Sequence, residues 1–156
     1  MRVNAKNDYK NFGAMICCTS NGVMKPEKVK EFIDILSSMG YNLLELGIED
    51  MYKIDDEPYF GYLRGGYSKE EIREMDEYAE SKGVELVPCI QTLAHFKNLV
   101  KIPEYSDIVD IDDILLVDEP KTYELIDKML KFASENFSSD KINLGFDEAH
   151  HVGLGK

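Results

Sequence analysis

The sequence contains no tryptophan, only three cysteines and five prolines, and no apolar run that approaches the length of a membrane span. A bilayer-crossing helix needs about 18 or more consecutive apolar residues, so none is expected. The amino-terminal region also lacks the apolar core of a secretory leader, and a cytoplasmic location is expected. Basic residues are scarce: 18 Lys and Arg stand against 30 Asp and Glu, for a net charge of -12. With no basic patch, binding to nucleic acid or to an anionic membrane surface is not expected. Cys17, Cys18 and Cys89 are odd in number and lack framework spacing, so disulfides are not expected. All three fall in predicted strands and read as core thiols. Gly61, Gly65 and Gly66 match neither the phosphate-loop nor the dinucleotide pattern. His95, His150 and His151 show no metal-ligand spacing with the cysteines. Neither cofactor nor metal is expected.

What is present is the material of one folded domain, taken as residues 1–156. With 44% hydrophobic residues in 156, the chain can bury about two-thirds of its unfolded surface. Gly13 to Cys18 is a compact apolar run. Pro26 to Met39 then carries Val29, Phe32, Ile33, Leu36 and Met39 at helical spacing, with Gly40 just beyond. Asn42 to Ile48 reads as a second strand. Ser68 to Lys82 reads as a second helix, opened by the capping box of Ser68 and Glu71 and closed by Gly83. Val84 to Ile90 is the third strand, Pro120 to Asn136 the third helix, and Ile142 to Phe146 the fourth strand. Strand and helix alternate, and the strands are continuously rather than alternately apolar. Such a pattern specifies a parallel α/β sheet with right-handed crossovers.

Two architectures fit: a small doubly wound sheet, or the first four strands and three helices of a (β/α)8 TIM barrel. The long segments Glu49 to Tyr67 and Gln91 to Glu119 both follow strand ends, the side on which a barrel builds its active site. They favour the partial barrel. In the chain as given, the fourth strand has no covering helix and the sheet has two open edges, from which self-association is expected.

Chemistry concentrates after the fourth strand, in Gly145-Phe146-Asp147-Glu148-Ala149-His150. Adjacent acids recur elsewhere, as at Glu49-Asp50, Asp55-Asp56 and Asp112-Asp113, and most such pairs are solvated surface. Asp147 and Glu148 differ because they follow an apolar strand, and Gly145 beside them allows a ligand or a backbone to come close. His95 follows the third strand; a lone histidine is more often structural, but one at a barrel strand end can orient or tune a neighbouring acid. The aromatic residues Tyr52, Tyr59, Phe60, Tyr62 and Tyr67 suit either a sugar-stacking wall or the packing of a long loop.

Three ordered motifs carry a resemblance. Pro58-Tyr59-Phe60-Gly61-Tyr62-Leu63-Arg64-Gly65-Gly66-Tyr67-Ser68, Val87-Pro88-Cys89-Ile90-Gln91-Thr92-Leu93-Ala94-His95 and Gly145-Phe146-Asp147-Glu148-Ala149-His150 closely resemble the catalytic domain of glycoside hydrolase family 20, the β-N-acetylhexosaminidases. Within that family they are nearest the bacterial exo-β-N-acetylglucosaminidase branch. The resemblance runs from about Phe12 to Lys156 and covers the first half of the family's barrel.

The resemblance implies substrate-assisted retaining hydrolysis of a terminal N-acetylhexosamine, so the expected partner is a carbohydrate. It implies that Glu148 is the general acid and later the base, and that Asp147 orients the acetamido group. His95 would support Glu148, and Asp50 or its neighbour Glu49 would hold His95. It further implies that Glu49, Arg64, Tyr67 and Asn143 lie at the sugar. One departure stands out. Family members carry Asp-x-Ser-Arg at the end of the first strand, the arginine holding sugar hydroxyls, whereas this chain reads Cys17-Cys18-Thr19-Ser20. The family's later strands add a tryptophan-containing acetamido pocket, and this sequence has no tryptophan. The 156 residues alone are therefore expected to be weakly active or inactive. The competing expectation is a non-catalytic half barrel that pairs with itself or with a partner.

Overall fold

A computed structural model describes residues 9–20 and 22–156. The order is β1 (Gly13–Cys17), α1 (Pro26–Ser38), β2 (Leu43–Glu49), α2 (Lys69–Ser81), β3 (Glu85–Ile90), two 3-10 turns (Leu99–Lys101 and Pro103–Ile108) and α3 (Pro120–Asn136). The three strands form one parallel sheet in the order β1-β2-β3, with Gly13, Leu43 and Glu85 in register. Sequential parallel neighbours joined by helices are the repeating unit of a (β/α) barrel.

The helices form where local chemistry favours them. Ser68 caps α2 by accepting from the Glu71 backbone amide, while Glu71 accepts in return from the Ser68 amide. Pro26 and Pro120 open α1 and α3, where a missing amide proton costs nothing. One face of each helix is then buried against the sheet. Ile16, Leu44, Leu46, Ile48, Leu86 and Ile90 meet Val29, Ile33, Leu36, Ile72, Met75 and Ala79 in one continuous core. Full burial of each aliphatic side chain contributes about 1.5–3 kcal/mol.

Two expectations need correction. The fourth strand is present only as an isolated parallel bridge. Asn143 donates to the Pro88 carbonyl and accepts from the Ile90 amide, at 2.9 Å each. The backbone turns left-handed at Gly145, φ 61°, two residues beyond the bridge, and Ile142 and Phe146 stay exposed. Second, Cys17 is exposed while Cys18 and Cys89 are buried. Successive strand residues alternate faces, and Cys17 lies on the inner face, away from the helices.

The aromatic loop between β2 and α2 packs inward. Tyr52 meets Phe60 edge-on and Phe132 at a tilt, with ring centroids 5.0 and 4.5 Å away, and of the loop's five aromatic residues Tyr59 and Tyr62 reach solvent. No helix among the described residues is long and apolar enough to cross a membrane.

Candidate active site

The carboxyl ends of β2, β3 and the Asn143 bridge converge on one pocket of about 600 Å³, whose lining includes Cys17, Glu49, Gln91, His95, Asn143 and Asp147. Two of its acids and bases, and Glu148 next to Asp147 in the chain, sit on unusual backbone. Glu49, His95 and Glu148 have φ of 40°, 67° and 53°, in the left-handed region that side chains avoid. Such backbone costs roughly 1–3 kcal/mol per residue and persists only where surrounding structure enforces it. At Glu49 the cause is a slip in register, since β2 pairs Gly47 with Cys89 and then Glu49 with Ile90. The extra residue re-aims the strand end.

His95 and the acid pair come together. His95 Nε2 lies 3.3 Å from Asp147 Oδ2 and 3.8 Å from Glu148 Oε2, so the nearer partner is Asp147 rather than the expected Glu148. Neither approach is aligned as a hydrogen bond. The side chains of Asp147 and Glu148 are 62% and 67% exposed, which leaves both open to a ligand. His95, Asp147 and Glu148 each present one donor atom, all within 4.8 Å of one another, the one such group among the described residues that could hold a metal ion.

Gly145 makes this placement possible. Its φ is +61°, and a Cβ there would fall 2.3 Å from the Ile90 carbonyl oxygen. Only glycine lets the chain cross β3 so closely and then turn Asp147 back toward the site. Two side chains brace the crossing. Thr92 donates to the Leu144 carbonyl at 2.9 Å, and Gln91 Nε2 donates to Asp147 Oδ1 at 3.1 Å. The Gln91 contact, with His95 beside it, holds the Asp147 carboxyl below the usual carboxylate range. No role was expected for Gln91, although its place immediately after an apolar strand was a usable signal.

The strand-two acids turn elsewhere. Arg64 Nε lies 3.0 Å from Asp50 Oδ1 and its Nη2 3.3 Å from Glu49 Oε2, and all three side chains are largely buried. Asp50 or Glu49 was expected to hold His95; Arg64 takes both carboxylates, although Glu49 still lines the pocket together with His95. Burial pushes the carboxyls of Glu49 and Asp50 up, and the Arg64 charge opposes that shift.

Two expected sugar contacts are likewise committed within the fold. Arg64 is occupied by the two acids. Tyr67 is buried, donating its hydroxyl to the Met24 carbonyl and lying 3.4 Å from Cys18 Sγ. Tyr67 is a packing residue because its loop folds back over the sheet. Asn143 donates to Glu45 at 3.2 Å and accepts from the Gly145 amide at 3.0 Å, while still lining the pocket.

The arrangement thus offers a fixed anion, a second carboxylate one residue away, and an imidazole touching both. Chains of known kind share this framework. Hexosaminidase D of Homo sapiens is 24% identical over 85% of this chain and 28% of its own length. The beta-hexosaminidase of Vibrio furnissii is 30% identical over 65% of this chain and 18% of its own. The chain therefore spans well under a third of either relative. Among solved structures, a mutant Streptomyces plicatus beta-hexosaminidase in complex with product (GlcNAc) superimposes with a TM-score of 0.83 at 23% identity, covering 94% of this chain and 34% of that one. Its fold is the barrel of which this sheet is a part. Residues 12–154 match the model of the glycosyl hydrolase family 20 catalytic domain, and the chain belongs to that family.

Proposed function

We propose that these residues supply the acid-base half of an exo-β-N-acetylhexosaminidase site that removes terminal N-acetylglucosamine or N-acetylgalactosamine. The observation that carries this reading is the convergence of Asp147, Glu148 and His95 at the carboxyl end of a parallel sheet. In the first step the substrate's own acetamido oxygen bonds to the anomeric carbon while the glycosidic bond breaks, and Glu148 gives its proton to the leaving oxygen. Asp147, held ionised by Gln91, faces the positive charge that develops on the acetamido group. In the second step Glu148 takes a proton from water as that water attacks the anomeric carbon and the bond from the acetamido oxygen to that carbon breaks, restoring the acetamido group. His95 orients the pair.

The two carboxylates divide the work because their surroundings differ. Asp147 is pinned by a donated hydrogen bond from Gln91, whereas the Glu148 carboxylate faces His95 Nε2 at 3.8 Å. Neighbouring acids in unlike environments commonly take unlike roles.

The reading is tested by turnover of an aryl N-acetyl-β-glucosaminide. A barrel completed with the remaining βα units of a relative should be active. Glu148→Gln and Asp147→Asn should each lower its turnover about a hundredfold or more, and His95→Ala less. An active completed barrel indifferent to Glu148→Gln would overturn the assignment. The 156 residues alone should turn over weakly or not at all, because both acids stand in water rather than in a closed site.

A second reading rests on the open inner face of the sheet. Met15 and Phe146 are 49% and 64% exposed. Such a face suits self-association of this chain, and light scattering over a concentration series would read it directly.

A further inference from the structure

His95 and Glu148 both keep left-handed backbone, with φ of 67° and 53°. Such conformations persist where the surrounding structure enforces them. For both residues those surroundings include one hairpin, residues 109–115. Val109 bridges Leu115, the Asp110 amide donates to the Ile114 carbonyl at 3.0 Å, and the Ile114 and Leu115 side chains are buried.

The hairpin grips the two residues in different ways. Its backbone brackets His95: the Leu115 amide donates to the Leu93 carbonyl at 2.9 Å, and the Phe96 amide donates to the Asp113 carbonyl at 3.1 Å. Its side chains take the segment that follows Glu148. Asp110 accepts from the Gly153 amide at 3.3 Å through Oδ2 and from the Lys156 amide at 2.6 Å through Oδ1. Asp112 Oδ2 meets His151 Nδ1. Gly155 passes so close to Asp110 that a Cβ there would collide with its carboxylate. Between these anchors and the acid the chain makes a tight turn, the His150 amide donating to the Glu148 carbonyl at 2.7 Å.

We infer that Asp110 and Asp112 are positioning residues for the general acid, a clasp that fixes Glu148 relative to His95. The inference rests on the glycosidase reading for what Glu148 does, and on the contacts of the hairpin for what holds it. Gln91 and Thr92 fix the chain on one side of Glu148, at Asp147 and Leu144, and the clasp fixes it on the other. The Glu148 side chain is 67% exposed, so its aim is set by its backbone and not by packing. A general acid must lie within hydrogen-bond reach of the leaving oxygen, and a misplacement of about 1 Å can cost about a hundredfold. Asp147 takes its hydrogen bond from Gln91, so the clasp acts on proton donation and leaves the charge that faces the acetamido group in place.

Two measurements test the clasp. In the 156-residue protein, backbone order parameters from nitrogen relaxation should fall from about 0.85 toward about 0.6 at residues 148–150 in Asp110→Ala/Asp112→Ala. They should hold at His95, whose ties run to the hairpin backbone. In the completed barrel, the double variant should cleave a disaccharide of β-linked N-acetylglucosamine about tenfold more slowly or worse. It should cleave a dinitrophenyl N-acetyl-β-glucosaminide within about twofold of the parent, because dinitrophenolate leaves without a proton. Asp112→Asn, which keeps an oxygen for His151, should lose less than Asp112→Ala. Ser68→Ala, a remote loss of stability, should leave the ratio of the two substrates unchanged. Glu148→Gln should show the same dependence on leaving group; its absence there would defeat the glycosidase reading and leave the order parameters to decide the clasp. A Glu148 as rigid in the double variant as in the parent would overturn it. So would equal losses on both substrates beside a leaving-group-dependent Glu148→Gln.

Discussion

The two faces of the same three strands behave differently. On the helix side, Leu44, Leu46 and Ile48 are fully buried, and the chain supplies their partners from its own α1 and α2. On the inner side, Met15 and Cys17 are exposed, Glu45 is partly so, and a groove of about 780 Å³ runs between β1 and the Asn143 segment. Alternate residues of one strand thus have opposite fates. The helix face is closed by contacts close in sequence, each crossover covering the strands it joins. The inner face can be closed only by residues on the opposite side of a barrel. The buried core lies on the first face and the candidate site at the second, where strained backbone at Glu49, His95 and Glu148 is tolerated.

Substitutions can probe this contrast in order of expected size. The largest effect should follow Leu46→Ala, a deletion in the fully buried helix-side core, which should cost about 2–5 kcal/mol in a denaturant melt. Next, Ser68→Ala removes one half of the capping box that starts α2 and should cost about 1 kcal/mol by the same measurement. On the inner face, Met15→Ala should stay within about 0.5 kcal/mol, as exposed positions do. If Met15→Ala proved as costly as Leu46→Ala, the two faces would not be energetically distinct.

The subtlest effect is electrostatic. Replacing Gln91 by Leu keeps the volume and removes the donor, so the Asp147 carboxyl should titrate at higher pH in a carbon-detected NMR titration. The signs of the pH effects follow from the directions. Asp147 is depressed in the fold, so its contribution to stability is present above the ordinary aspartate range and is lost as pH falls through the folded value. Glu49 and Asp50 are raised by burial, so they oppose it, favouring the fold as pH drops from their raised values toward the ordinary range. An unmoved Asp147 titration would show that Gln91 does not set its charge.

Much of this architecture was legible in the sequence. α3 runs over the expected Pro120–Asn136, and α1 and α2 each fall within a residue of their capping signals. Apolar spacing and end caps are local properties, and the core they bury is formed by near neighbours. The parallel order followed from the alternation of elements. The placement of Asp147, Glu148 and His95 at strand ends was readable for the same reason, because a strand's carboxyl end is fixed once the strand is.

The remaining features depended on contacts across the fold. Arg64 and Tyr67 stood in a motif-bearing loop that suited sugar contact, yet Arg64 pairs with Glu49 and Asp50, and Tyr67 folds over Cys18 and Met24. Loop side chains answer to whatever they meet in space, and periodicity carries no record of that. Ile142 to Phe146 has a strand's composition, but a strand exists only when hydrogen-bonded to a neighbour, and this segment keeps one bridge to β3 before the backbone turns left-handed at Gly145. Cys17 and Cys89 are 72 positions apart in sequence and share one face only because Gly47 stands between them in register. The sequence by itself determined which segments are helix or strand, which helix faces are buried and where the acid pair falls. Only the tertiary structure decided which partner each acid takes and which face stays open, because those depend on distances between segments that no local pattern encodes.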